Sequence, residues 1–187
     1  MKKLLITLGI ICLSITFCSG QLMVSKLIGK DSENYGTGFG LFAFLDFPLA
    51  SENQSIRVEL LDYTYYPAKG QGFFSGTDGR GYISAKLGYK YVFSETNSGF
   101  YLLPSAGWGA VVLVTAGEDK AKEYHGIAAA MEAGYSFGLG EGNHAINLGL
   151  KYDYGSGSKG ISQQSVSLRL SYSFGFFGRR DQDAKVF

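Results

Sequence analysis

The sequence predicts an all-β protein: a closed, antiparallel, up-and-down transmembrane β-barrel of about eight strands, behind a cleaved N-terminal signal peptide. Three observations predict it. Apolar and polar residues alternate with a period of two over long stretches, short polar turns alternate with mostly longer glycine-rich connections, and aromatics gather toward strand ends around an aliphatic middle.

The N-terminus reads as an export address. Lys2 and Lys3 form a positive n-region, residues 4–17 an apolar run, and Cys18-Ser19-Gly20 supplies the small residues a signal peptidase reads, placing the cut before Gln21. The run is shorter than the roughly 20 apolar residues a spanning helix needs. A lipoprotein cut at Cys18 is disfavoured because bulky Phe17 precedes it. The expected organisation is a signal peptide over 1–20, a barrel over 21–177 and a charged periplasmic tail over 178–187.

Cleavage changes the composition. Cys12 and Cys18 are the only cysteines, so the mature chain has neither a disulfide framework nor a cysteine-bound metal. Loss of Lys2 and Lys3 takes the 17 basic residues to 15, against 16 acidic ones. That balance argues against a nucleic-acid partner, which calls for a basic face.

Eight strands are expected, near 22–29, 37–47, 55–66, 80–93, 99–114, 124–138, 143–155 and 164–177. The first is the weakest. In the second, Phe39, Leu41, Ala43, Leu45 and Phe47 share a side, although Phe42 and Phe44 blur the other. In the third, Ile56, Val58 and Leu60 alternate with Arg57 and Glu59. The apolar phase then slips to Leu61, Tyr63 and Tyr65, which predicts a bulge near Leu60-Leu61. The fourth is regular: Ile83, Ala85, Leu87, Tyr89 and Tyr91 oppose Tyr82, Ser84, Lys86, Gly88 and Lys90. In the fifth, Phe100, Leu102, Ala106, Trp108, Ala110 and Val112 face away from Ser105, Gly107 and Gly109. Pro104 lies inside it and cannot donate to a ladder, so a local bulge is expected there. The window 118–132 has helix-compatible composition, but its second half reads as strand because Ile127, Met131, Tyr135 and Phe137 keep a period of two. The seventh alternates Ile146, Leu148, Leu150, Tyr152 and Tyr154 with Asn147, Gly149, Lys151 and Asp153. The eighth alternates Val166, Leu168, Leu170 and Tyr172 with Ser165, Ser167, Arg169 and Ser171.

Connections 49–54, 94–98 and 139–142 are short turns, whereas 30–36, 67–79, 115–123 and 156–163 are rich in glycine and charge. Short periplasmic turns and longer outer loops are the habit of bacterial outer-membrane barrels, and an even strand count leaves both termini in the periplasm.

Alternation alone does not say which face is inside. Tyr89, Tyr91, Phe93, Tyr135 and Phe137 fall at the expected periplasmic ends, and Tyr63, Tyr65 and Tyr154 at the outer ends. Two aromatic belts around an aliphatic band are what membrane interfaces select. The opposite face, of glycine, serine and charges, is poor lining for an apolar ligand. The apolar face therefore points out, and Arg57, Glu59, Lys86, Lys90, Glu132, Lys151, Asp153 and Arg169 point in. Five basic and three acidic residues in an eight-stranded interior must pair with one another or meet trapped water. A structural ion-pair network is the main reading, and a proton or small-solute path the alternative.

These features, with the Ser-Gly signal end before Gln21 and an aromatic final strand reaching Phe176, resemble the small outer-membrane β-barrel proteins of the OmpA/OmpX-like kind, particularly those of Bacteroidetes-type bacteria. The resemblance spans essentially the whole mature chain and rests on pattern. It implies insertion by the barrel-assembly machinery, which in that family reads a terminal strand ending in an aromatic residue. The tail beyond Phe176 departs from that pattern, and Phe187 is a second candidate for the role.

Chemistry is thin. A serine hydrolase needs a histidine beside the nucleophile. His125 and His144, the only histidines, open different strands, with no serine at close strand spacing to His125; both suit interfacial positions and make a poor metal site. Gly36-Thr37-Gly38-Phe39-Gly40 lacks the lysine and the strand–loop–helix setting of a phosphate loop, and reads as glycines easing a curved strand. Phe73 and Phe74, flanked by glycines in the longest loop, mark either a contact site or aromatics resting on lipid headgroups. The expectation is a non-enzymatic outer-membrane protein, without a cofactor, structural or surface-interacting through its loops. Its partners are outer-membrane lipids, the assembly machinery and an extracellular ligand or protein at the loops. The rivals are a lipid-modifying barrel enzyme, a narrow channel and a soluble periplasmic ligand barrel.

Overall fold

Alternation becomes a wall. In a computed structural model, which describes residues 21–49, 51, 53–71, 78–94, 98–115, 121–139 and 144–173, eight strands pair in chain order into a closed barrel. They are β1 Leu22–Leu27, β2 Gly38–Pro48, β3 Gln54–Pro67, β4 Gly79–Val92, β5 Gly99–Val114, β6 Lys122–Gly138, β7 Ala145–Ser156 and β8 Ser162–Ser173. Every neighbouring pair is antiparallel, including β1 with β8, so this is an up-and-down closure. The helix-compatible window is strand from Lys122 onward. Two 3₁₀ turns, Lys30–Glu33 and Ser158–Gly160, sit in connections at one end, called here the loop end. The opposite, turn end joins β2 to β3, β4 to β5 and β6 to β7. The weakest expected strand is the shortest: β1 has 6 residues and pairs with β2 only over Leu22–Ser25.

The phase slip in β3 is a bulge at the expected place. Glu59 faces Lys86 and Asp62 faces Ser84, so Leu60 and Leu61 together oppose Ala85. Without that extra residue the inward and outward sets of the strand would exchange halfway along.

The bulge expected at Pro104 is absent. Gly88 opposite Ser105 and Tyr91 opposite Leu102 keep one register across the proline, and β6 pairs through it, with Met131 opposite Pro104. The ladder to β4 is interrupted only at Leu103 and Pro104. A proline lacks one donor, and the strand loses that rung without inserting a residue.

The faces are inverted relative to a water-soluble barrel. Leu22, Leu87, Leu102, Ile127, Leu148, Leu150, Leu168 and Leu170 are exposed on the outer surface, whereas Arg57, Glu59, Lys86, Lys151 and Arg169 are buried. Aromatics flank the aliphatic band. At the turn end Phe100 meets Tyr135 edge-on at 5.0 Å, Tyr135 meets Phe137 at 4.6 Å, and Tyr91 meets Phe93 at 5.0 Å. Phe39, Tyr63 and Tyr154 are exposed toward the loop end. An apolar outer band between aromatic belts is the surface of a transmembrane barrel. The segments expected to be a signal peptide and a tail, with Phe73, Phe74, Phe176 and Phe187, lie outside the described residues.

Candidate functional site in the barrel interior

The interior is built in layers because inward residues recur at every second position of each strand. At the loop end Arg80, near the start of β4, donates to Asp31 Oδ2 at 2.5 Å, to Gln163 Oε1 at 3.0 Å and to the Ser162 carbonyl at 2.7 Å. Beneath this clasp lies an apolar layer of Leu27, Tyr66, Tyr82, Val111 and Ala128.

The main charge cluster fills the middle. Lys86 Nζ lies 2.9 Å from Asp62 Oδ2, 3.0 Å from Asp153 Oδ1 and 3.4 Å from Glu59 Oε2, and donates to Ser84 Oγ at 2.7 Å. Lys151 Nζ bridges the same three acids, touching Asp62 and lying 3.1 Å from Asp153 Oδ2 and 3.5 Å from Glu59 Oε2. Arg169 Nη1 lies 2.6 Å from both Glu59 Oε1 and Glu132 Oε2. The Tyr101 hydroxyl donates to Glu132 Oε1 at 2.6 Å. Toward the turn end, Arg57 grips Asp46 through two bonds of 2.7 Å, and Lys90 donates to Asn147 Oδ1 at 2.9 Å with its ammonium 4.7 Å from the Tyr101 ring centre.

All eight sequence-predicted interior residues point inward, none more than 6% exposed. Six of them, Glu59, Lys86, Glu132, Lys151, Asp153 and Arg169, join one connected network; Arg57 and Lys90 stand apart from its ion pairs, toward the turn end. The sequence reading missed Asp62, Asp46 and the Arg80 clasp. Asp62 was legible: once the apolar phase moves to Leu61 and Tyr63, the residue between them must face the other way. The predicted excess of two cations was itself a signal, because a closed interior does not hold unpaired charge. With Asp46, Asp62 and the Arg80–Asp31 pair added, six basic residues stand against six acidic ones.

Apart from Tyr82, which shares the polar parity of β4, aromatics inside the barrel were not expected. Phe42 and Phe44 stack at 6.1 Å between centroids, with the Arg169 guanidinium 3.4 Å over the first ring and that of Arg57 3.6 Å over the second. Tyr82 and Tyr101 also lie inward, and glycines make room for them. A Cβ on Gly155 would come within 2.6 Å of the Tyr82 ring, and one on Gly149 within 2.6 Å of the Tyr101 hydroxyl.

In the middle layer the side chains of Glu59, Asp62, Lys86, Lys151 and Asp153 are 0–5% exposed, so these charges meet one another rather than bulk water. The two histidines are far from this network. His125 stacks on Trp108 at 5.4 Å with Nε2 3.6 Å from Glu123 Oε2, and His144 Nδ1 lies 3.2 Å from the Tyr172 hydroxyl. Gly38 and Gly40 admit neighbouring interior side chains: a Cβ on Gly38 would meet the Tyr66 ring at 2.5 Å, and one on Gly40 would meet Met23 Cε at 2.7 Å.

Solved structures similar to this chain include two bacterial proteins. The N-terminal β-barrel domain of Pseudomonas aeruginosa OprF is 16% identical, with the match covering 81% of this chain and 95% of that one at a TM-score of 0.41. Ail, the attachment invasion locus protein of Yersinia pestis, solved in complex with the heparin analogue sucrose octasulfate, is 14% identical, covering 81% and 93% at a TM-score of 0.47. No family model and no curated protein matches the chain.

Proposed function

We propose that the chain is an integral outer-membrane protein whose plugged barrel is a rigid scaffold for its outer loops, without catalytic activity. The observation that carries this is the inversion of the faces: exposed leucines and aromatics outside, a buried network of ion pairs inside. Burying so many charges is costly in free energy, and the Glu59–Arg169–Glu132 and Lys86–Asp62–Lys151 pairings offset that cost only in a closed barrel. The turn end then faces the periplasm and the loop end the exterior, as the short-turn, long-loop pattern requires. Insertion by the barrel-assembly machinery, a cleaved signal over 1–20 and a periplasmic tail over 178–187 belong to the same proposal. The Bacteroidetes-type source rests on the sequence pattern alone.

Membrane fractionation tests it. The protein should stay in the outer-membrane fraction until detergent is added, and should run faster on a gel unheated than boiled. Recovery in the soluble periplasm would sink the proposal and favour a ligand barrel. Planar-bilayer recording should show no conductance, and lipid A from a deletion strain should keep its mass. A conducting step or a lipid A mass shift would replace the scaffold by a channel or a lipid-modifying enzyme.

A further inference from the structure

Lys26 breaks the pattern of the outer wall. It lies on β1 with its side chain exposed on the outward face, beside Val24 on its own strand and Ile28 just beyond it, and opposite Val166 on β8. Among the described strand residues that face outward, it is the only lysine or arginine. Its neighbours Val24, Ile28 and Leu168 are exposed apolar residues of the kind that meets acyl chains. A lysine among such residues keeps its stem on the apolar wall and sends its ammonium up to the headgroup level.

Just beyond Lys26 in the chain, the loop end of the β1–β8 seam holds a cleft of about 300 Å³, lined by Leu27, Ile28, Gly29, Lys30, Asp31, Ser162 and Gln164. Lys30 is exposed at the head of the 3₁₀ turn, and Lys159 is exposed in the adjoining connection. Of the carboxylates on this loop, Asp31 is already held by Arg80, and Glu33 is exposed on the same turn. Neither Lys26 nor Lys30 forms an ion pair among the described residues.

We propose that this cleft seats the phosphate-bearing headgroup of an outer-leaflet lipid, with Lys26 approaching from the wall and Lys30 from the loop. The site selects an amphiphile over a soluble polyanion. Lys26 emerges between lipid-facing apolar side chains, so its partner must lay an acyl chain on Val24 and Leu168 while offering an anion above them. The proposal rests on the membrane reading given above, and its test separates the two.

The mature protein is inserted into phosphatidylcholine nanodiscs doped with a phosphorylated disaccharide lipid, or with the same lipid lacking its phosphate, and retained lipid is counted by native mass spectrometry. Failure of the wild type to enter nanodiscs would refute the membrane reading, and the lipid site with it. Normal insertion with no preference for the phosphorylated lipid would refute the site alone. Lys26→Gln and Lys30→Gln should each weaken retention about fivefold, and the double variant about twenty-five-fold. Lys69→Gln, in another loop, should leave it unchanged. Heat-modifiable mobility confirms that each variant is folded. Equal loss with Lys69→Gln, or no loss in the double variant, would overturn the assignment. So would equally tight binding of a water-soluble sulfated sugar at the same lysines.

Discussion

The Arg169 guanidinium sits over the face of Phe42, its Cζ 3.4 Å from the ring centre. Its Nη1 serves Glu59 and Glu132, but Nε and Nη2 are buried without a hydrogen-bond acceptor. The Phe42 ring covers the guanidinium instead, and a desolvated cation–π contact is worth about 2 kcal/mol. Phe42→Leu keeps an apolar side chain of roughly similar size and removes that face. It should lower barrel stability by about 2 kcal/mol in urea unfolding from lipid vesicles, whereas Phe39→Leu, facing outward, should cost far less. Equal losses from the two would show that the ring contributes only packing.

Asp62 is the shared acceptor of Lys86 and Lys151, and all three side chains are nearly inaccessible. Removing one member of a buried ion network leaves uncompensated charge and costs about 3–5 kcal/mol. Asp62→Asn should reach that range. Glu123→Gln, which removes an exposed partner of His125, should change stability by less than about 1 kcal/mol. An Asp62→Asn barrel as stable as wild type would mean that water enters the middle layer, and would revive the solute-path reading.

The clasp of Arg80 on Asp31 differs in kind because Asp31 is 42% exposed at the mouth. It ties the first loop to β4, and Arg80 in turn ties β4 to β8 through Gln163 and the Ser162 carbonyl. Asp31→Asn should therefore free the loop without weakening the barrel. Limited proteolysis should cut within residues 28–37 several-fold faster while urea unfolding moves by less than about 1 kcal/mol. Raising salt should reproduce part of the effect in the wild type, since a partly exposed pair is screened.

These residues also show how far the sequence was legible. Where one face is uniformly small or polar, as in β7 and β8, parity alone places Lys151, Asp153 and Arg169 inward. Parity also located the Leu60-Leu61 bulge, because an inserted residue must shift the phase. It failed in β2, where both parities are apolar. There Phe42 and Phe44 enter the barrel to stack under two arginines, a reason that exists only after Arg57 and Arg169 arrive from distant strands. Asp46 was lost with them, since its inward position follows from theirs. At Pro104 the chemistry was right and the consequence wrong: one missing donor interrupts a rung but does not shift the register. The Lys26 site depends on the closure of β1 onto β8, which no local pattern encodes.

Tyr101 joins two parts of the interior that share no ion pair. Its hydroxyl bonds Glu132 at 2.6 Å in the main cluster, while its ring lies 4.7 Å from Lys90, whose hydrogen bond goes to neutral Asn147. Gly149 on β7 makes room for this arrangement: a Cβ there would come within 2.6 Å of both the Tyr101 hydroxyl and Glu132 Oε1. Gly149→Ala should push the tyrosine off the carboxylate, leaving a buried donor and acceptor short of a partner, at about 1–3 kcal/mol. Tyr101→Phe removes the same bond while keeping the ring over Lys90. If the clash acts through that bond, Gly149→Ala should cost much less in a Tyr101→Phe background than alone. Urea unfolding of the four proteins in the double-mutant cycle measures this, and strictly additive losses would show that the alanine acts by straining β7 itself.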